Sequence, residues 1–115
     1  MSFSEFEVKK IERAAAEFLE AIRPPVHIRP QLDIDVRFSG QSVSVVEIRP
    51  HFREPSTTIE SMVAKATYVE EAKHWKIYWM RSDLKWHLYT PAPESRTIEE
   101  FFAIVREDKN CCFFG

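Results

Sequence analysis

Five residues in the second half of the chain combine positive charge and aromatic rings at a spacing typical of β-strands. The segment Lys73–Tyr89 alternates apolar with polar residues on both sides of a short break, which predicts two strands joined as a hairpin. A loop of two or four residues would place Trp79 opposite Trp86 on a buried face and Tyr78 opposite His87 on the other face. That second face is predicted to carry Lys65, Lys76, Tyr78, His87 and Tyr89.

These five side chains have the chemistry of a surface that binds single-stranded nucleic acid. Exposed aromatic rings can stack on bases while lysine ammonium groups hold phosphates. The formal net charge of −2 argues against a general nucleic-acid coat but allows a local basic patch. The same residues could equally form a solvated face, or a face covered by a helix or a second subunit. The first functional hypothesis is a nucleic-acid-binding domain.

Two carboxylates of the first predicted hairpin, Asp35 and Glu47, suggest an enzyme as an alternative. The apolar alternation slips by one in the second strand, and a β-bulge at Val45–Val46 would absorb the slip and place Asp35 opposite Glu47. Such a pair can hold Mg²⁺ for hydrolysis, although arginines on the same strands could neutralise it without a metal. The Asp…Glu-x-Lys pattern of restriction-enzyme-like folds is only partly matched, because Arg49 stands in the lysine position. This alternative is a metal-dependent nuclease-like enzyme.

The end of the chain suggests a third class of function, a protein-interaction or homodimeric adaptor domain. Phe113 and Phe114 make this tail apolar. It is expected to dock either on the domain or on a partner, such as a second copy of the chain. If the tail closes the core of its own chain, no partner is needed.

The histidines, glycines and cysteines of the chain predict no cofactor. The four histidines contain no close metal-ligand pair, and two glycines are too few for a phosphate-binding loop. The only cysteines, Cys111 and Cys112, are neighbours, which rarely bridge to each other without strain. No signal peptide or membrane-spanning apolar run is visible in the sequence. These features predict a cytoplasmic protein without a membrane segment.

Two helices are predicted near the ends of the chain. The first runs from Ser4 to about Ile22, and the second begins at Thr97 and ends at about Glu107. Each starts with a Ser or Thr followed three residues later by Glu, the pattern of a capping box. Phe6 is assigned to the apolar stripe of the first helix.

Five strands between these helices predict an antiparallel sheet built from meander-like hairpins. Residues 50–61 are predicted to form a loop, and a four-residue turn at Glu70–Lys73 would set Ala66 against Ile77 and Lys65 beside Tyr78. The sheet would have one face covered by the helices. We therefore predict an α+β fold in a single domain over residues 1–115.

Several motifs resemble one family of small bacterial proteins, the DUF3024 family, a domain of unknown function. The motifs are MSFSEFEVKKIE, PPVHIRPQLD, EIRP, VAKATYV, KIYWMRSDLKWHLY and CFFG. They occur in one order and span nearly the whole chain. The resemblance implies a small bacterial cytoplasmic protein, and it brings no activity, cofactor or catalytic residue with it.

Overall fold

Two helices and a six-stranded antiparallel sheet make up the structure, a computed structural model that describes residues 3–110 and 112–114. The elements in chain order are α1 Glu5–Ile22, β1 Asp33–Ser39, β2 Ser42–Pro50, β3 Thr58–Val69, β4 His74–Met80, β5 Trp86–Leu88, β6 Glu94–Ser95 and α2 Ile98–Glu107. The predicted α+β class is confirmed. The sequence did not predict β6, because a two-residue strand is too short to show alternation.

The sheet has the strand order β1-β2-β3-β4-β5, and β6 also pairs with β4. The helices contact each other and pack on one face of the sheet, which we call the inner face; it includes the fully buried Ala66 and Ile77. The opposite face, the outer face, includes Lys65 and Tyr78. Neither helix in the described part of the chain is long and apolar enough to cross a membrane.

The start of α1 agrees with the predicted cap. The Ser4 hydroxyl accepts a hydrogen bond from the Glu7 N–H at 3.2 Å, and the Glu7 carboxylate accepts one from the Ser4 N–H at 3.0 Å. Phe6 was assigned wrongly to the buried stripe, because its side chain is 79% exposed. At about 100° per residue, Phe6 lies roughly 140° around the helix from the buried Ile11.

The second helix also begins where it was predicted. The Thr97 hydroxyl accepts a hydrogen bond from the Glu100 N–H at 3.1 Å. The other half of the predicted capping box is replaced, since the Glu100 carboxylate accepts from the Arg96 N–H instead of the Thr97 N–H. Phe102 stacks on Phe18 of α1 with ring centroids 4.9 Å apart, which joins the two helices.

The turn from β3 to β4 confirms the predicted register. Val69 pairs with His74, so residues 70–73 form the four-residue turn. Ala66 then pairs with Ile77 and Lys65 with Tyr78, as expected from that turn length. The loop predicted over residues 50–61 is shorter in the structure, because β2 extends to Pro50 and β3 begins at Thr58.

The register predicted for the first hairpin is wrong. Pairing between β1 and β2 is unbroken, so Asp35 pairs with Val46 and Glu47 pairs with Ile34. The irregularity at Val45–Val46 occurs instead in the pairing with β3. Val46 is fully buried although it points to the outer face, so the slip in apolar alternation reflects burial on both faces and not a bulge against β1.

The register predicted between β4 and β5 is also wrong by one residue. Met80 pairs with Trp86 and Trp79 with His87, so the connecting loop has five residues, Arg81–Lys85. Leu84 in this loop has a φ of 61°, and its N–H donates to the Arg81 carbonyl at 2.9 Å. An odd loop length moves each side chain of β5 to the face opposite the one predicted.

The C-terminal residues close the core of their own chain. Asp108 has a φ of 43°, and its carboxylate accepts hydrogen bonds from the N–H groups of Phe113 at 3.0 Å and Phe114 at 2.9 Å. Phe113 is buried against the ring of Tyr89, with centroids 4.7 Å apart. The tail therefore docks on the domain, one of the two expected outcomes. Cys111 lies outside the described residues, so the structure does not bear on its pairing with Cys112.

Candidate functional site

Three side chains on the outer face form a compact group that we call the outer patch: Lys65 of β3, Tyr78 of β4 and Trp86 of β5. The Lys65 Nζ lies 5.0 Å from the centroid of the Tyr78 ring and 4.8 Å from that of the Trp86 ring. The pairing of Lys65 with Tyr78, and of Met80 with Trp86, brings the three strands' side chains to one place. Each cation–π contact at such a partly exposed site is worth about 0.5–1 kcal/mol.

The positive charge of Lys65 is not balanced by an ion pair. Among the described residues, no carboxylate oxygen lies within 4.0 Å of its Nζ, and its cross-strand row (Ser44, Lys65, Tyr78 and Leu88) contains no acidic residue. Burial of the side chain lowers the pKa of Lys65 from its ordinary value, because the charged form loses water. The patch therefore offers a partly desolvated cation to an anionic ligand.

Three of the five predicted site residues are on the outer face. Lys65 and Tyr78 belong to the outer patch, and Lys76 lies on the next cross-strand row, beside Thr67. Lys76 is exposed and faces Glu94 of β6 across the other side of its strand.

His87 and Tyr89 are not where the sequence placed them. His87 is opposite Trp79 on the inner side of the sheet, and its Nε2 lies 2.8 Å from a carboxylate oxygen of Asp83. This hydrogen bond holds the pKa of Asp83 below its ordinary value. The Tyr89 N–H donates to the Ile77 carbonyl, so Tyr89 lies opposite Ile77 and its side chain points to the inner face. This side chain is only 2% exposed. The prediction that both residues face outwards is wrong, because the loop before β5 has five residues and not two or four.

Trp86 is the residue that the sequence interpretation missed. It was predicted to be buried opposite Trp79, yet it lies on the outer face beside Lys65. One local signal could have revealed the longer loop: Asp83 is well suited to bond a backbone N–H two residues ahead, and its carboxylate accepts from the Lys85 N–H at 3.0 Å.

The arginines on the neighbouring strands do not extend the positive charge of the outer patch. Arg37 binds Asp35 at 2.6 Å and Glu60 at 3.1 Å, and Arg49 lies 3.3 Å from Glu47. The two hydrogen-bonded carboxylates raise the pKa of Arg37, so it remains charged but internally neutralised. Lys65 and Lys76, by contrast, have no carboxylate oxygen of the described residues within 4.0 Å of their Nζ atoms.

Asp35 and Glu47 do not form the carboxylate pair that a metal site would need. Their pairing places them on opposite faces of the sheet, and each is bonded to an arginine of its own strand. Within the described residues, no three His, Cys, Asp or Glu side chains are grouped closely enough to hold a metal ion. The predicted juxtaposition of these two carboxylates is wrong.

Comparison with known protein families connects this fold to one of them. Residues 3–115 match the family described as Domain of unknown function (DUF3024). The chain belongs to the DUF3024 family. Neither the curated proteins nor the solved structures that were compared give a match to this DUF3024 chain.

Membership of the DUF3024 family brings no activity, because the family is described only as a domain of unknown function. The chemistry of this DUF3024 chain must therefore be inferred from its own side chains. Of the positions described above, the outer patch is the one where a cation, two aromatic rings and access to solvent occur together.

Proposed function

We propose that this chain binds single-stranded nucleic acid on the outer face of its sheet, and that it does so in the bacterial cytoplasm. The observation that carries the proposal is the position of the Lys65 ammonium group between the Tyr78 and Trp86 rings, with no carboxylate oxygen of the described residues within 4.0 Å of it. Aromatic rings on an open sheet are a recurring platform for unstacked bases.

The three side chains of the outer patch would have distinct roles in binding. Tyr78 and Trp86 stack on successive bases, and such stacking is worth about 1–3 kcal/mol per base. The flexible Lys65 exchanges its contacts with the rings for a phosphate oxygen, so the ring faces are freed as the phosphate arrives. Lys76, one row away, holds a second phosphate.

Binding of this kind depends on backbone charge and on stacking, and not on the identity of the bases. Two lysines on two phosphates of a single strand would release about 0.7 counterion each, so the logarithm of affinity should fall with the logarithm of salt concentration with a slope of about −1.4. The slope is small because the arginines of the sheet are already neutralised by carboxylates.

The experiment that tests this proposal is a titration of the chain against fluorescein-labelled oligo-dT and oligo-U of about ten nucleotides, from about 20 to 200 mM salt. We expect Trp86→Ala to weaken binding by about 5- to 100-fold through lost stacking, while Trp86→Phe keeps most of the affinity. Lys65→Met should reduce the salt slope by about 0.7.

The matched control is Lys9→Met, which removes the same charge from the exposed surface of α1, away from the outer face. Circular dichroism of each variant checks that the fold is retained. If the chain does not bind either oligonucleotide at the lowest salt concentration, or if Lys9→Met weakens binding as much as Lys65→Met, the proposal is wrong.

A further inference from the structure

Strand β3 is longer than its neighbour β4, and this leaves part of one sheet edge open. β4 pairs with β3 only from Ala64 to Val69, because the chain leaves the sheet after Met80 to form the five-residue loop. Residues 58–62 therefore pair with β2 alone among the described strands. We call this segment, Thr58–Met62, the open edge.

The direction of the backbone groups follows from one hydrogen bond. The His51 N–H donates to the Thr57 carbonyl at 3.0 Å, so this carbonyl, directly before β3, points towards the side of β2. Because successive residues of a strand direct these groups to opposite sides, Thr58, Glu60 and Met62 direct their N–H and C=O groups away from β2. Within the part of the chain that the structure describes, the open edge thus presents a short ladder of donors and acceptors that no other strand pairs with.

At the opposite edge of the sheet, two N–H groups of β1 are held by side chains of the same strand. The Ile34 N–H donates to a carboxylate oxygen of Asp33, and the Val36 N–H donates to one of Asp35, both at 2.8 Å. These N–H groups cannot serve another strand while the carboxylates hold them. No described side chain makes such a bond to the N–H groups of the open edge. The two edges therefore differ in their capacity to accept a strand.

We infer that the open edge binds an extended peptide segment of a partner protein, which adds to the sheet as a strand in line with β4. Unpaired main-chain groups recognise extended backbone, and neighbouring side chains choose among sequences. Glu60 on the outer face forms a cluster with Arg37 and Asp35 that has one excess negative charge. Ile59, on the alternate side, is 42% exposed. The segment that fits alternates basic residues beside Glu60 with apolar residues beside Ile59.

A second copy of this chain fits the open edge less well than a basic peptide does. Two copies paired antiparallel about the middle of the segment would place Glu60 directly opposite the Glu60 of the other copy, and like charges facing each other are unfavourable. Charge complementarity therefore favours a basic segment from a different protein.

The test uses a blocked synthetic peptide of alternating lysine and valine, seven residues long, with an alternating glutamate and valine peptide of the same length as the comparison. Binding is followed by NMR of the ¹⁵N-labelled chain. We expect amide hydrogen exchange at Thr58, Glu60 and Met62 to slow by about tenfold or more when the basic peptide is bound.

Two substitutions of the same residue isolate the main-chain hydrogen bond. Glu60→Pro removes the carboxylate and the edge-facing N–H, whereas Glu60→Thr removes only the carboxylate. Proline is tolerated where the N–H faces away from the sheet, and Thr58→Pro provides a second test if Glu60→Pro does not fold. We expect Glu60→Pro to weaken peptide binding about tenfold more than Glu60→Thr does.

Three results would overturn the inference. The first is equal affinity for the two peptides, and the second is an equal loss of peptide affinity in Glu60→Pro and Glu60→Thr. The third is slow amide exchange at the open edge without peptide, together with a dimer detected by light scattering. Failure of nucleic-acid binding in Trp86→Ala has no bearing on this outcome, because the outer patch and the open edge are different surfaces.

Discussion

Removal of the Asp108 carboxylate should release the C-terminal residues from the core. This carboxylate accepts hydrogen bonds from the backbone N–H groups of Phe113 and Phe114 at 3.0 and 2.9 Å. A hydrogen bond to a charged group contributes about 1.5–3 kcal/mol to stability in the folded state, and water replaces part of this after release. Asp108→Gly keeps the left-handed backbone without strain, so we expect it to lower the free energy of unfolding by about 2–3 kcal/mol.

Urea denaturation followed by tryptophan fluorescence measures this change. Asp108→Asn is the matched variant. The two N–H groups bond to different oxygens of Asp108, and an amide retains only one of these oxygens, so this substitution should cost about half as much. Release of these residues also separates the Phe113 ring from the Tyr89 ring and exposes Phe113 to solvent. Chymotrypsin should therefore cut the C-terminal residues of Asp108→Gly faster. A loss below about 0.5 kcal/mol in Asp108→Gly, or equal losses in both variants, would refute this account of the tail.

Two other predictions concern β1 and the turn after it. Two hydrogen bonds from Arg23, each 2.7 Å long, hold the pKa of Asp33 below its ordinary value, so the stability this carboxylate contributes is present above about pH 4 and lost as pH falls through its lower folded-state pKa. Asp33→Asn should therefore lose less stability than the unsubstituted chain between about pH 4 and pH 2 in urea titrations, and parallel curves would contradict this. Gly40, at φ +58°, has open space around it, so Gly40→Ala should cost about 1–2 kcal/mol in urea denaturation through backbone strain alone, and Gly40→Asn should cost less.

Elements specified by local chemistry could be predicted from the sequence. The Ser4 and Thr97 caps fixed where both helices begin, because a hydroxyl that accepts from the N–H three residues ahead is a short-range interaction. The β3–β4 register followed from the even turn length and from alanines facing large side chains. Both signals lie within a few residues of the structure that they specify.

The errors arose where apolar residues occupy both faces of the sheet. Val46 is fully buried on the outer face, so its strand does not show the simple alternation of a half-exposed strand. Around β5, the spacing of Leu84, Trp86 and Leu88 resembled a buried series, whereas the buried residue is Tyr89, directly after the strand. Its hydroxyl accepts a hydrogen bond from the Asn110 side chain at 3.0 Å, a tertiary contact that no local pattern reveals.

The candidate site could be predicted only in part for the same reason. The pair Lys65 and Tyr78 follows from the four-residue turn, so local sequence was sufficient for two of the three residues of the outer patch. To place Trp86 beside them, one must know that the loop over residues 81–85 has an odd number of residues. This loop conformation depends on a positive φ at Leu84. Such a conformation is uncommon for leucine and is not indicated by its residue type.

The meander order of the strands has a consequence for how the chain reaches its native state. Each of the first four strands pairs with the next strand along the chain, so the hairpins can form from their turns with little loss of loop entropy. The stacking of Phe18 on Phe102, by contrast, joins helices from the two ends of the chain. We expect the sheet to form early and helix docking to come late, so that weakening the helix contact mainly speeds unfolding while weakening a hairpin slows folding.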